Sequence, residues 1–100
     1  MHPLIEQHRE QIAAACLKHG VKKLEIFGSA ARGEPVPNDF DFFVEYLDYD
    51  SPSLADQWFG LQEDLFALLG KPVDLVSPRR LRNPYFIESA NADRTTLYAA

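Results

Sequence analysis

KKLEIFGSAARGEPVPNDFDFFVEY, residues 22–46, decides how this chain folds. Lys22 to Phe27 alternates, with Leu24 and Ile26 on the opposite face from Lys23 and Glu25, and reads as a strand. Gly28-Ser29 breaks it. Ser29 is a natural N-cap for a short helical turn over Ala30 to Arg32. Gly33, Pro35 and Pro37 then force an irregular connection. Asp39 to Tyr46 reads as a second strand, in which Phe40, Phe42 and Val44 face a core and Asp39 and Asp41 face away from it.

Outward from this stretch the pattern is one of short alternating elements. Residues 4 to 19 read as one helix: Pro3 suits its first turn, and Ile5, Ile12, Cys16 and Leu17 share a face. Gly20 can close it in the left-handed conformation. A second long helix starts at Ser51-Pro52 or Ser53. Leu54, Trp58, Leu61, Leu65 and Leu68 give it a stripe at intervals of four and three, and Gly70 with Pro72 ends it. Val73 to Val76 is a short third strand. Pro78 to Asp93 is expected to be irregular or helical around Pro84, and Thr95 to Tyr98 to return as an edge strand. The order predicts an α/β (α+β) fold, a small sheet with helices on one face, in one domain over residues 1–100.

Composition narrows the function. No apolar run approaches the roughly 20 residues needed to span a bilayer, and the N-terminus has no secretory pattern, so no membrane partner is expected. One cysteine forms no internal disulfide, which suits a cytoplasmic protein, and the three His have no zinc-ligand spacing. The formal net charge of -5 speaks against direct nucleic-acid binding. From Glu34 to Gly70 there are nine acidic residues and no Lys or Arg, whereas the rest of the chain has six acidic and ten basic ones. An acidic middle either repels polyanions or holds cations that admit one anion.

The chemistry concentrates in Gly28-Ser29, Arg32, Asp39, Asp41 and Asp74. Residues two apart on a strand share a face, which puts Asp39 and Asp41 side by side with Cα atoms roughly 6.5 Å apart. Like charges so placed favour a cation between them. Asp74 stands among Val73, Leu75 and Val76, so if the second and third strands are neighbours all three carboxylates converge. Such hard oxygen donors suit Mg²⁺, and two such ions clamp the attacking and leaving oxygens of a phosphoryl or nucleotidyl transfer. Gly28 lets backbone approach a ligand closely, and the amides after it open a turn that attracts phosphate. Ser29 can donate to a phosphate oxygen, and Arg32 can contact phosphate or tie down the Asp39 region. An anion cradle beside a cation holder is what a Mg²⁺-nucleoside triphosphate needs.

GSAARG, NDFDFFV and VDLV, in this order, resemble the minimal nucleotidyltransferases of the DNA-polymerase-beta superfamily. FGSAARGE, the Trp-containing middle helix, KPVDLVSP and the closing LYAA extend the likeness, over nearly the whole chain, to the antitoxin-type MNT proteins that partner HEPN ribonuclease toxins. The resemblance implies a small mixed sheet backed by helices, and transfer of AMP from ATP to a hydroxyl, a tyrosine of the HEPN toxin, with release of pyrophosphate. It implies that Gly28 and Ser29 bind phosphate and that Asp39 and Asp41 hold two Mg²⁺. Asp74 helps hold the catalytic metal and orients or deprotonates the attacking hydroxyl. Arg32 and Gly33 match a less diagnostic extension. Asn38, where these proteins often have Ser, and Ala30, where a larger or charged residue is common, are departures that remove no metal ligand. A non-catalytic antitoxin that acts by covering its toxin, and transfer to a small molecule such as an aminoglycoside, are the alternatives.

The remaining candidates read as structure. The stripe from Leu54 to Leu68 and Trp58 are expected to be core, and Cys16 a small buried hydrophobe. His2, His8 and His19 are expected to be solvated, as are Arg79, Arg80 and Arg82. Tyr49 and Tyr85 are the candidate self-modification sites.

Overall fold

The computed structural model describes residues 3–28, 40–77 and 94–100. Its elements are α1 (Pro3–Gln7), α2 (Arg9–Lys18), β1 (Val21–Phe27), β2 (Phe40–Tyr46), α3 (Leu54–Leu69), β3 (Val73–Val76) and β4 (Thr95–Ala99). The strands form one mixed sheet in the order β3-β2-β1-β4. β1 pairs antiparallel with both β2 and β4, and β2 pairs parallel with β3. The parallel pair requires a crossover, and α3 supplies it.

The expected alternation of β2 is realised. Phe40, Phe42, Val44 and Tyr46 join Leu24, Ile26 and Val73 in one core with Ile5, Ile12 and Cys16 of the first two helices and Leu61, Leu65 and Leu69 of α3. Leu54, Trp58 and Leu68 pack against its margin. Gly70 ends α3 in the left-handed conformation, φ 70°, and its N–H donates to the Phe66 carbonyl at 2.8 Å. Gly20 closes α2 similarly, at φ 69°.

Two expectations near the N-terminus are corrected. The single helix over 4–19 is two, parted at His8. His8 Nδ1 lies 2.8 Å from the Leu4 carbonyl, and the His8 N–H is shared between the carbonyls of Leu4 and Ile5, each at 3.2 Å. The Leu4 carbonyl thus keeps its helical bond from the His8 N–H, while the bond shared with Ile5 is the tighter i→i−3 kind that marks a helix end. Leu17 does not share the buried face, being 75% exposed. The segment expected to be irregular, 78–93, and the turn after Gly28 lie outside the described residues.

The second face of the sheet positions the chemistry. Phe27 and Phe43 stack there with ring centroids 4.2 Å apart, and Val76 packs on them as a small separate cluster. On one side of this cluster, along the strands, lie Asp41 and Asp74. On the other lies Glu25.

Candidate functional site

Asp41 is the register partner of Phe27 on β1 and of Asp74 on β3. Register partners project to the same face, so the two carboxylates stand abreast on neighbouring strands, whose backbones are about 4.8 Å apart. Asp41 is half-buried and Asp74 exposed. Gly28 follows β1 with φ +78°, and a Cβ built on it would lie 2.8 Å from Asp41 Oδ2. Both features call for glycine, one by conformation and one by space. The chain therefore leaves β1 in direct contact with one member of the carboxylate pair.

Of the site residues read from sequence, the structure brings Gly28, Asp41 and Asp74 together. Ser29, Arg32 and Asp39 lie outside the described residues, as do Ala30, Gly33, Asn38, the arginines at 79, 80 and 82, and Tyr85. Among the described residues no three His, Cys, Asp or Glu side chains cluster as a cation site. The Asp41–Asp74 pair nonetheless fits Mg²⁺ by its chemistry. It consists of hard oxygens alone, and Mg²⁺ commonly takes one or two carboxylates and leaves its remaining positions for water and phosphate oxygens.

Glu25 and Arg94 form a part-buried pair beyond the Phe27–Phe43 cluster, on the same face of the sheet, that sequence reading missed. Arg94 grips Glu25 with two hydrogen bonds, Nε to Oε2 at 2.6 Å and Nη2 to Oε1. Its guanidinium also lies over the Phe43 ring, 5.0 Å from the centroid. Burial pushes the Glu25 carboxyl up. The hydrogen bond and charge of Arg94, helped by Lys23, more than offset that and hold it below its usual range. The same pairing raises Arg94 against its own burial. Glu25 was legible as a residue on the second face; its partner, 69 positions away, was not.

Other expectations are corrected or confirmed in place. His19 is not solvated: its side chain is 13% exposed and Nε2 lies 2.7 Å from Asp64 Oδ2. Cys16 is buried, and desolvation pushes its thiol up to about 12, far from a reactive thiolate. Tyr49 Oη receives the Tyr46 N–H at 3.3 Å and lies 3.4 Å from Ser77 Oγ.

A glycine-ended strand that meets a carboxylate pair on the second face of a small mixed sheet is what the sequence resemblance to nucleotidyltransferases implies. Residues 10–100 match the family described as Polymerase beta, Nucleotidyltransferase, and the chain belongs to it. A Methanocaldococcus jannaschii protein, provisionally named a protein adenylyltransferase, is 38% identical over 77 residues, 76% of each chain. A solved structure provisionally assigned as a minimal nucleotidyltransferase is 30% identical with a TM-score of 0.72, over 91% of this chain and 90% of that one. The complex of a tri-AMPylated Shewanella oneidensis HEPN toxin with an MNT antitoxin shares the fold. There the identity is 18% and the TM-score 0.64, over 95% of this chain and 72% of that one.

Proposed function

We propose that this nucleotidyltransferase moves AMP from ATP to a tyrosine hydroxyl of a HEPN-type toxin, in the presence of Mg²⁺, and so acts as a cytoplasmic antitoxin. The observation that carries the reading is the in-register pair Asp41–Asp74, with Gly28 against the Asp41 carboxylate. The name of the Methanocaldococcus jannaschii relative supports protein adenylylation, and the fold shared with the MNT antitoxin supports a HEPN partner.

Asp41 and Asp74, with Asp39 from the sequence, are the residues that would hold Mg²⁺. When bound, the ion offsets the charge of the triphosphate oxygens. Gly28 admits the phosphates close to the backbone, and Ser29 and Arg32 donate to them. Asp74, the most exposed of the described site carboxylates, accepts the proton of the incoming hydroxyl. The hydroxyl oxygen forms a bond to the α-phosphorus in line with the bond from that phosphorus to the β-phosphate oxygen, which breaks, and pyrophosphate leaves. Catalysis comes from positioning and charge neutralisation.

The test is the intact mass of the product of the neighbouring gene, co-expressed with the wild type and with Asp41→Asn. An AMP-sized adduct with the wild type alone is expected. A tight complex without adduct, under ATP and Mg²⁺, would overturn transfer in favour of neutralisation by occlusion.

A further inference from the structure

We propose that the groove between α3 and β3 is the docking surface for the acceptor protein, and that it takes an apolar segment flanked by basic side chains. This inference rests on the adenylyltransferase reading above and names the surface that reading requires. The groove encloses about 500 Å³ and is lined by Phe59, Gln62, Glu63, Phe66, Val73 and Asp74. It therefore ends at the carboxylate to which the acceptor hydroxyl must come.

Three observations define the occupant. Phe59 and Phe66 are 61% and 53% exposed, although the leucines of the α3 stripe are turned to the core. Seven residues apart, they stand on one face of the helix, one near each end of the groove. Phe59 is also a wall of an adjoining hollow of about 300 Å³ formed with Tyr49, Leu54 and Trp58, so the apolar surface continues past the groove. Two exposed aromatics bordering adjoining hollows are the anchors an interface uses, rather than scattered surface apolar groups.

The second observation is charge. Among the described residues, Glu63 and Asp74 are the charged members of the groove lining, both acidic, and the sequence from 34 to 70 holds no Lys or Arg. An acceptor with basic residues beside its apolar segment is attracted to this face, and an acidic one is repelled. The third is rigidity. Gln62 Nε2 donates to the Val73 carbonyl at 2.9 Å, fixing helix to strand one residue before Asp74. A preformed groove orders little on binding.

The test compares the wild type with Phe59→Ser/Phe66→Ser and with Glu63→Lys, using the neighbouring gene's product as acceptor. Both phenylalanines are exposed, so the fold is kept, and thermal unfolding checks this. The double variant is expected to raise the acceptor KM by at least about tenfold while affinity for a non-hydrolysable ATP analogue with Mg²⁺ is unchanged. Glu63→Lys is expected to raise the same KM, most strongly at low salt. An unchanged KM in the double variant overturns the docking surface while leaving adenylylation standing. So does a light-scattering result in which the free protein is a dimer that the variant splits without a change in KM. If the wild type binds the acceptor but adds no AMP, the transferase reading fails separately. Hydrogen exchange then decides the surface, with protection over residues 59–66 supporting it and none overturning it. Absence of both binding and transfer overturns both readings.

Discussion

Gly28 lies so close to the Asp41 carboxylate that a single added carbon would reach 2.8 Å from Oδ2. The backbone at Gly28 is also left-handed, φ +78°, where any side chain costs about 1–2 kcal/mol. Gly28→Ala therefore has two effects that can be separated. Chemical denaturation is expected to show a loss of about 1–2 kcal/mol from strain. Nucleotidyl transfer is expected to fall by at least about tenfold, because Asp41 must move off its position abreast of Asp74. An alanine variant with the wild-type transfer rate would show that the chemistry does not need the carboxylate there.

The pairing of Asp41 with Asp74 makes a prediction about cations without reference to turnover. Like charges opposite each other on neighbouring strands are destabilising by roughly 0.2–1 kcal/mol. Millimolar Mg²⁺ is expected to raise the thermal midpoint of the wild type and to leave the double variant Asp41→Asn/Asp74→Asn unmoved, since a ligand stabilises only the state that binds it. Equal shifts in both proteins would remove these two residues from the cation site.

Much of this arrangement was legible in the sequence because it depends on short-range rules. Alternation in residues 40–44 fixes which face of β2 carries Asp41, and the punctuation at Gly28 and Gly70 fixes where β1 and α3 stop. β3 needed only a short run of branched residues after Pro72. The parts not legible depend on side chains meeting at long range or on a hydrogen bond outside any periodicity. The break at His8 coincides with an N–H shared between two carbonyls, which no periodicity announces, and Leu17 turns outward in the shorter helix. Nothing local joins Glu25 to Arg94 or His19 to Asp64. For the site, sequence order pointed to Asp41 and Asp74, but their alignment required the parallel register of β2 and β3.

Glu25 and Arg94 hold the Phe43 side of the second face, and their contribution is expected to depend on acid. Folding lowers the Glu25 pKa, so below the ordinary carboxylate range the unfolded chain binds a proton that the native chain does not. The stabilisation is complete above the usual value of 4.5 and is lost as pH falls through the lowered native value. Arg94→Ala leaves Glu25 buried without its main partner and is expected to cost about 3 kcal/mol at neutral pH. Adding Glu25→Leu is expected to restore much of that loss. If Arg94→Ala alone costs nothing and the acid limb is unchanged, the pair contributes no net stability.

His19 and Gly60 give the reverse of the usual rule for glycine in helices. Gly60 sits inside α3, where alanine ordinarily gains about 1 kcal/mol. Here a Cβ would lie 2.6 Å from His19 Cε1, and the ring cannot simply swing away, because Nε2 is held 2.7 Å from Asp64 Oδ2. That hydrogen bond is the main reason the Asp64 carboxyl lies below its usual range, with Lys18 adding charge against the cost of burial. Gly60→Ala in the wild-type background is thus expected to give a net loss of about 1 kcal/mol, the overpacking cost exceeding the gain in helix propensity. In a His19→Ala background the obstacle is gone, and the same substitution is expected to stabilise by about 1 kcal/mol. The difference is a coupling energy measurable by a double-mutant cycle in urea. Equal stabilisation in both backgrounds would mean that the His19 ring is not held over Gly60 in solution.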